Sequence, residues 1–388
     1  MNELLFCLPD ITIIRKMAAK MRIAISSKTI LPEKMIALAE ESSDEKHRAI
    51  EYCYDTWPKE MKGVNENIDL TLKRIPEYQK RKDVQAVYED MVFCYFAYGF
   101  TPVEYFAFQL ENKTRRERES FVSDRARIIY RCRMNNMIKA DIFKDKIKTY
   151  KKYGKYYRRE AIAISKKRDF AVFEDFIKKH PVFVKKEVFE AQGVSVELID
   201  IAVCGKTEKE LFESLIQKGK HILEEKIEQA PELSAFNASS VNTVRAVTFH
   251  TKHGIVVPYC TLRTGRPGSF IDNGGAGGIQ ACVDYETGKI ITEGFDEFGG
   301  HYRMHPSSGI VFKGYQMPEW DKLKALVTEV ALQDDATKFI GWDLAYTRDG
   351  WIIVEGNDCC QVIAQQMIKG KGMKDEFEKI MADMDLVV

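Results

Sequence analysis

Three oxygen-bearing side chains near the C-terminus, Asp343, Glu355 and Asn357, stand in GWDLAYTRDGWIIVEGN at a spacing that could seat a divalent cation. Two apolar runs flank Arg348-Asp349-Gly350, which predicts a hairpin with a three-residue loop and Gly350 in the left-handed position. That loop pairs Thr347 with Trp351 and carries the ladder on to Asp343 opposite Glu355, with Asn357 on the face of Glu355. Direct and diagonal neighbours on one sheet face lie within about 5–8 Å of each other. Two facing carboxylates repel unless a cation sits between them. Oxygen ligands of this kind suit Mg2+, which fills its remaining positions from phosphate and water. The competing reading is a solvent-facing polar side of the strand pair; the aromatic and branched residues on both strands weigh against it.

A Mg2+–phosphate site needs cations elsewhere in the chain. Lys146 follows Asp145 in a basic stretch, and Lys185 and Lys186 end a predicted strand in PVFVKKEVFEAQGVSVELI, before a turn at Gln192-Gly193. A strand-borne lysine can meet phosphate oxygens as a point charge, and each of these taken alone also fits a solvated surface residue. Neither G-x-x-x-x-G-K-[ST] nor G-x-G-x-x-G occurs. The run NGGAGG at 273–278 either offers backbone N–H groups to an anion or serves as a connector. His301 and His305 have zinc-pair spacing only if their segment is helical, which Gly300 and Pro306 oppose; ordinary structural histidines are the alternative. No Ser-His-Asp or Cys-His arrangement stands out, which disfavours covalent catalysis on a side chain.

The elements that must hold these groups fall into two kinds. Up to about Ile138 the pattern is helical, with apolar residues at three- and four-residue spacing over Glu33–Tyr54 and Ile68–Tyr98. Short strands follow at 161–165, 182–186 and 194–201, then helix 208–218 and strand 221–227. After Pro231 the chain turns β-rich at 241–251, 254–263 and 279–284, with helix 319–332 before the carboxylate hairpin. Met91–Leu110 is the most membrane-like stretch, yet Gly99 and Pro102 would break a spanning helix, so it reads as two buried pieces joined by a turn. The N-terminal apolar stretch Leu4–Ile14 is interrupted by Pro9 and Asp10 and does not read as a signal peptide. Nine cysteines without C-x-x-C spacing suit reduced thiols in a cytoplasm better than a disulfide framework or a zinc site.

With 388 residues the chain has room for two or three packed units, and 59 Lys plus Arg against 58 Asp plus Glu leave a net charge of +1. That balance argues against a dedicated nucleic-acid coat. Neutrality is nevertheless a cancellation, because residues 111–170 hold 20 basic and 8 acidic side chains. The +12 segment leaves open an extended anionic partner such as a polysaccharide, a lipid surface or tRNA, a reading that rests on exposure of arginines such as Arg115, Arg116 and Arg118.

PVFVKK, ILEEKI, SVNTVRAVT and GWDL…VEGN, in that order, resemble the ATP-grasp superfamily, and SVNTVR with HPSSG resembles its sugar-transfer-associated family. The likeness runs from about Lys139 to Lys379. It implies an α+β ATP-grasp fold, two α+β subdomains gripping ATP, preceded by a mainly helical region. The corresponding division is 1–138 helical, 139–235 nucleotide lid and 236–388 catalytic. It implies that Lys146 and Lys185 hold the nucleotide, that the hinge Glu224, Glu225, Lys226 and Ile227 meets adenine, and that Asp343, Glu355 and Asn357 hold Mg2+. Arg245 and Arg263, with Asn242, would face the transferred phosphoryl group or the substrate carboxylate. Phe189–Ser195 would be the loop that closes over the nucleotide, though it is poorer in glycine than in many relatives. The implied activity is an ATP- and Mg2+-dependent ligase that activates a carboxylate for attack by an amine, in cell-surface polysaccharide or related metabolite biosynthesis. It would work in the cytoplasm or at the inner membrane face. A phosphotransferase on the same fold and a nucleotide-binding scaffold are the alternatives.

Overall fold

The computed structural model describes residues 20, 23, 30–189, 196–268, 272 and 277–384. The stretch Leu4–Ile14, most of the loop at 189–195 and Asn273–Ala276 of the glycine run lie outside the described residues.

The front of the chain is helical, and its breaks follow from local chemistry. Within the helical pattern of Glu33–Tyr54 the chain forms Glu33–Glu41 and Ser43–Thr56, separated at extended Ser42. The predicted run over Ile68–Tyr98 is likewise cut. Helix Pro58–Arg74 ends before Pro76, whose ring forces Ile75 out of the helical region, and a new helix starts at Val84. That helix stops at Gly99, which has φ +81°, and a side chain there would meet Arg125 Cβ at 2.5 Å. A capping box between Thr101 and Glu104 then starts Pro102–Ala107. Phe93, Phe96, Phe100 and Tyr105 from the two pieces are fully buried together, so the apolar composition of 91–110 belongs to a core. Among the described residues no helix is long and apolar enough to cross a membrane.

Much of the charge of the basic segment points inward. Arg118 has a 5% exposed side chain; it donates to Asp90 at 2.8 and 3.2 Å and to the Leu110 carbonyl at 2.9 Å. Asp90 also accepts from Lys46 at 2.7 Å and from the Tyr105 hydroxyl at 2.9 Å. Arg131 pairs with Asp358, Arg159 with Glu224 and Lys152 with Asp334. These pairs tie the segment to the acidic remainder of the chain. Arg115 contacts Glu33 and Glu119, so of the three arginines on which an anion-binding surface would rest, one is buried and one is paired. Arg118→Met would leave Asp90 short of its more deeply buried charge partner. The expected loss is about 3–5 kcal/mol of stability in urea denaturation, and a loss below about 1 kcal/mol would mean that Lys46 alone sustains the network.

Two antiparallel sheets follow. The smaller has the order β1-β4-β2-β3, built from Ala161–Ile164 (β1), Val182–Glu187 (β2), Glu197–Asp200 (β3) and His221–Glu225 (β4). Helices Phe170–Lys179 and Glu208–Gln217 cover one of its faces through Phe173, Phe176, Phe212 and Leu215, which pack on Ile164, Phe183 and Leu223. The larger has the order β11-β10-β5-β6-β7-β8-β9. Its strands are Thr243–Thr251 (β5), Gly254–Thr264 (β6), Ile279–Val283 (β7), Gly294–Phe295 (β8), His301–Tyr302 (β9), Phe339–Thr347 (β10) and Gly350–Asn357 (β11). Helices Lys146–Tyr157 and Trp320–Ala331 pack on one face around Trp342, Leu344 and Leu262. On the other face, Val247, Phe249, Tyr259 and Phe339 are covered at one end by helix Lys374–Ala382, and the other end is polar.

The hairpin register corrects the predicted turn. Thr347 pairs with Gly350 rather than with Trp351, so the connection has two residues, Arg348 and Asp349, with Gly350 at φ +96°. Leu344 then faces Ile353, one residue out of the predicted register, and a bulge at Val354 restores it, so that Asp343 faces Glu355. The shorter turn and the extra residue compensate.

Candidate functional site

The two sheets meet along a narrow cleft that is partly open to solvent. One wall is the small sheet, contributing Lys186 and Glu224; the opposite wall is β11, with Val354, Glu355 and Gly356. Helix Lys146–Tyr157 closes one side with Lys146, Thr149 and Tyr157. Asp145 caps that helix, accepting from the Ile147 and Lys148 amides at 3.0 and 3.1 Å, and so fixes the turn that presents Lys146. Burial alone would raise the Glu224 carboxyl, but Arg159 at 2.7 Å and Lys186 at 2.9 Å outweigh it and hold it at about 2.

From the cleft a polar track crosses the large sheet. Cross-strand partners share a face, and the register aligns Glu355 with Asp343, Asp343 with Arg245, and Arg245 with Thr261. One pair further along, Thr243 faces Arg263 and Arg263 faces Gln280. Arg245 grips Asp343 through Nε and, at 2.7 Å, through Nη2; Arg263 Nη1 reaches the same carboxylate at 3.0 Å. Arg263 Nη2 lies 3.3 Å from Asp272, which also accepts from the Thr243 hydroxyl. Burial would raise the Asp343 carboxyl, and the two guanidiniums bring it below its ordinary value. Burial pushes Glu355 up, the Asp343 charge adds to this, and Lys186 and Lys146 act against it.

Glu355 is the odd member of this track. Among the described residues none donates a hydrogen bond to its carboxylate, and the buried Nδ2 of Asn357 also has no partner. No three His, Cys, Asp or Glu side chains among the described residues are grouped to hold a metal, so the available donors are two facing carboxylates and an amide. A half-buried carboxylate without donors is unfavourable beside the facing Asp343, and a cation between them offsets that. Two facing carboxylates fit Mg2+, which takes its remaining ligands from phosphate and water.

The structure brings Lys146, Glu224, Asp343, Glu355, Arg245 and Arg263 to the cleft and track. It does not bring Lys185 there. Strand alternation turns Lys185 to the helix-covered face of the small sheet, where it lies 3.0 Å from Glu197, and points Lys186 into the cleft instead. Glu225 is held to Glu160 through its amide and its carboxylate, at 2.9 and 3.0 Å. Lys226 pairs with Glu228, and Ile227 lies on the segment that leads to Ala230, whose amide donates to the Tyr346 carbonyl. Asn242 is fully buried; its amide donates to the Leu233 and Asn237 carbonyls at 2.9 Å each, anchoring the start of β5 rather than facing the track. His301 lies on β9 and no helix carries the pair. Buried His305 contacts the Gly265 carbonyl at 3.0 Å and Ser307 at 2.9 Å, so both its ring nitrogens are engaged within the chain.

Sequence reasoning missed Arg159 and Asp272 and did not separate Lys186 from Lys185. Alternation does show that neighbouring lysines part company, but only the helices on one face decide which of them meets the cleft.

A four-stranded sheet facing a larger one, with lysines on the smaller and facing carboxylates on the larger, is the ATP-grasp arrangement. The model of the sugar-transfer associated ATP-grasp family matches residues 184–382, just over half of the chain, and the chain belongs to that family. Among curated proteins none matches it. Similar solved structures include the ATP-grasp ligase PsnB complexed with a minimal precursor, at 9% identity and TM-score 0.40, covering 64% of this chain and 63% of that one. Another is D-alanyl-alanine synthetase A from Vibrio cholerae, at 9% identity and TM-score 0.40, covering 63% and 66%. N5-carboxyaminoimidazole synthetase from Staphylococcus aureus, complexed with ADP, has 11% identity and TM-score 0.42, covering 66% and 55%. The chain thus spans less than two thirds of the length of each of these structures.

Proposed function

We propose that the chain is an ATP- and Mg2+-dependent ligase that activates a carboxylate for attack by an amine. The observation that carries this reading is the alignment of Glu355 with Asp343 on the rim of a cleft whose other walls present Lys146 and Lys186. Lys146 and Lys186 would meet the nucleotide phosphates, and the hinge Glu225–Ile227 would meet adenine. Asp343, Glu355 and Asn357 would hold Mg2+, which neutralises phosphate charge when bound. Arg245 and Arg263 would meet the substrate carboxylate and the phosphoryl group passing to it.

The chemistry balances without a side-chain nucleophile. A carboxylate oxygen attacks the γ-phosphorus, the bond from that phosphorus to the β,γ-bridging oxygen breaks, and ADP leaves. The amine nitrogen then bonds to the acyl carbon, phosphate departs with the former carboxylate oxygen, and the amine proton passes to water. The sugar-transfer association of the family supports a carboxylate carried on a cell-surface sugar or its precursor. We place this work in the cytoplasm, with 139–235 as the lid and 236–388 as the catalytic part.

The test is ADP release with a panel of sugar acids, with and without hydroxylamine. Trapped hydroxamate is the expected product. A phosphorylated alcohol without hydroxamate would replace the ligase by a phosphotransferase, and the absence of ADP release with every acid would leave a nucleotide-binding scaffold.

A further inference from the structure

Arg159 joins the two walls of the cleft. Its Nε and Nη2 donate to Glu224 Oε2 on β4 at 2.9 and 2.7 Å. Its Nη1 donates to the carbonyl of Ile353 at 2.7 Å and more weakly to that of Tyr157 at 3.4 Å, and Nη2 donates to the carbonyl of Val354 at 3.0 Å. Every N–H of the guanidinium therefore has an acceptor. The group lies 4.6 Å from the centroid of the Tyr157 ring, and its side chain is 3% exposed. Val354 is the unpaired residue at the register shift of β11, flanked by Ile353 and Glu355. On the lid side, Lys186 shares the Glu224 oxygen that Arg159 holds.

A continuous chain of contacts thus runs from the lid lysine through Glu224 and Arg159 to the bulge that aims Glu355. A lysine could not replace this fork, because one ammonium cannot donate in plane to a carboxylate and to two carbonyls on another strand. If the residue served stability alone, an apolar pair of similar volume would do as well at this depth. We infer that Arg159 is a positioning residue that couples the two halves of the site, so that nucleotide on the lid and the cation at Glu355 are held cooperatively. This rests on the nucleotide reading of the cleft. Coupling of this kind is reciprocal: whatever the strut contributes to cation affinity in the presence of nucleotide, it contributes to nucleotide affinity in the presence of the cation.

The experiment is a calorimetric titration of the full chain with ADP at a series of Mg2+ concentrations, for the unaltered protein and for Arg159→Gln. Loss of an outer-shell partner should raise the Mg2+ concentration for half-maximal ADP binding by about tenfold. ADP affinity at saturating Mg2+ should fall by the same factor, while ADP affinity without Mg2+ stays that of the unaltered chain. Thermal unfolding without ligand separately reports any structural loss. A folded Arg159→Gln protein whose Mg2+ midpoint equals that of the unaltered chain overturns the inference. Should that variant not fold, Arg159→Lys, which keeps the charge beside Glu224 but cannot span both strands, is read for the same shift and overturned by the same equality. If the unaltered chain binds no ADP at any Mg2+ concentration, the nucleotide reading itself falls and takes this inference with it.

Discussion

Asp343→Asn and Glu355→Gln should each lower ATP turnover by about 10²-fold or more, the cost typical of removing one preorganised electrostatic contact from a reacting centre. Both changes keep shape and remove one negative charge. Their effects on stability should part. Asp343 is gripped by Arg245 and Arg263, so its amide leaves buried Arg245 without a counter-charge and Arg263 with Asp272 alone, at a cost of about 3 kcal/mol in urea denaturation. Glu355 has no such partner, and its burial raises its pKa above the ordinary carboxylate value. In the metal-free chain the folded form therefore holds this proton to higher pH than the unfolded form does. Over that window the folded form binds more protons, so stability falls as pH rises through it. Glu355→Gln should abolish that decline and leave the protein as stable as before, or more so, at neutral pH. Full ATP turnover in Glu355→Gln would refute the metal seat, and equal stability loss in the two variants would refute the electrostatic contrast between them.

The contrast shows what sequence could and could not reveal about this site. Asp343 and Glu355 were legible as a pair because one turn signal and strand alternation fix which side chains meet. The details compensated: the turn is one residue tighter than its composition suggests, and the bulge at Val354 returns the register. Nothing in the local pattern announces a bulge, since it depends on a buried guanidinium that arrives from another element to take up the carbonyls it exposes. The charge of residues 111–170 was legible as a number and misleading as a surface. Composition counts cations but not their partners, and Arg131 finds Asp358 across 227 positions of sequence. Helix breaks at Pro76 and Gly99 follow from single residues, so the helical front was readable in outline. The assignment of Asn242 to chemistry was not supported by its place in the fold, because a fully buried amide that answers two backbone carbonyls is anchoring a strand start.

Lys185 and Lys186 set the last contrast, and here the prediction divides adjacent residues. Lys186→Met should weaken ADP binding about 10- to 100-fold, the range for losing a hydrogen bond to a charged group. It should do so without unfolding the lid, because Glu224 keeps Arg159 as its partner. Lys185→Met should leave ADP affinity within about twofold, since its ammonium lies on the helix-covered face beside Glu197, which is itself half exposed. Its expected effect is on the lid alone, at about 1 kcal/mol or less, because a methionine fills the same space and the partner left behind still reaches water. The residues share a backbone segment, so any general damage to β2 would appear in both variants and cancel in the comparison. A larger loss of ADP affinity in Lys185→Met than in Lys186→Met would reverse the assignment. It would mean that β2 presents its opposite face once nucleotide is bound, and such a rotation would have to break the pairing of Lys186 with Glu224 on which the present shape of the cleft depends.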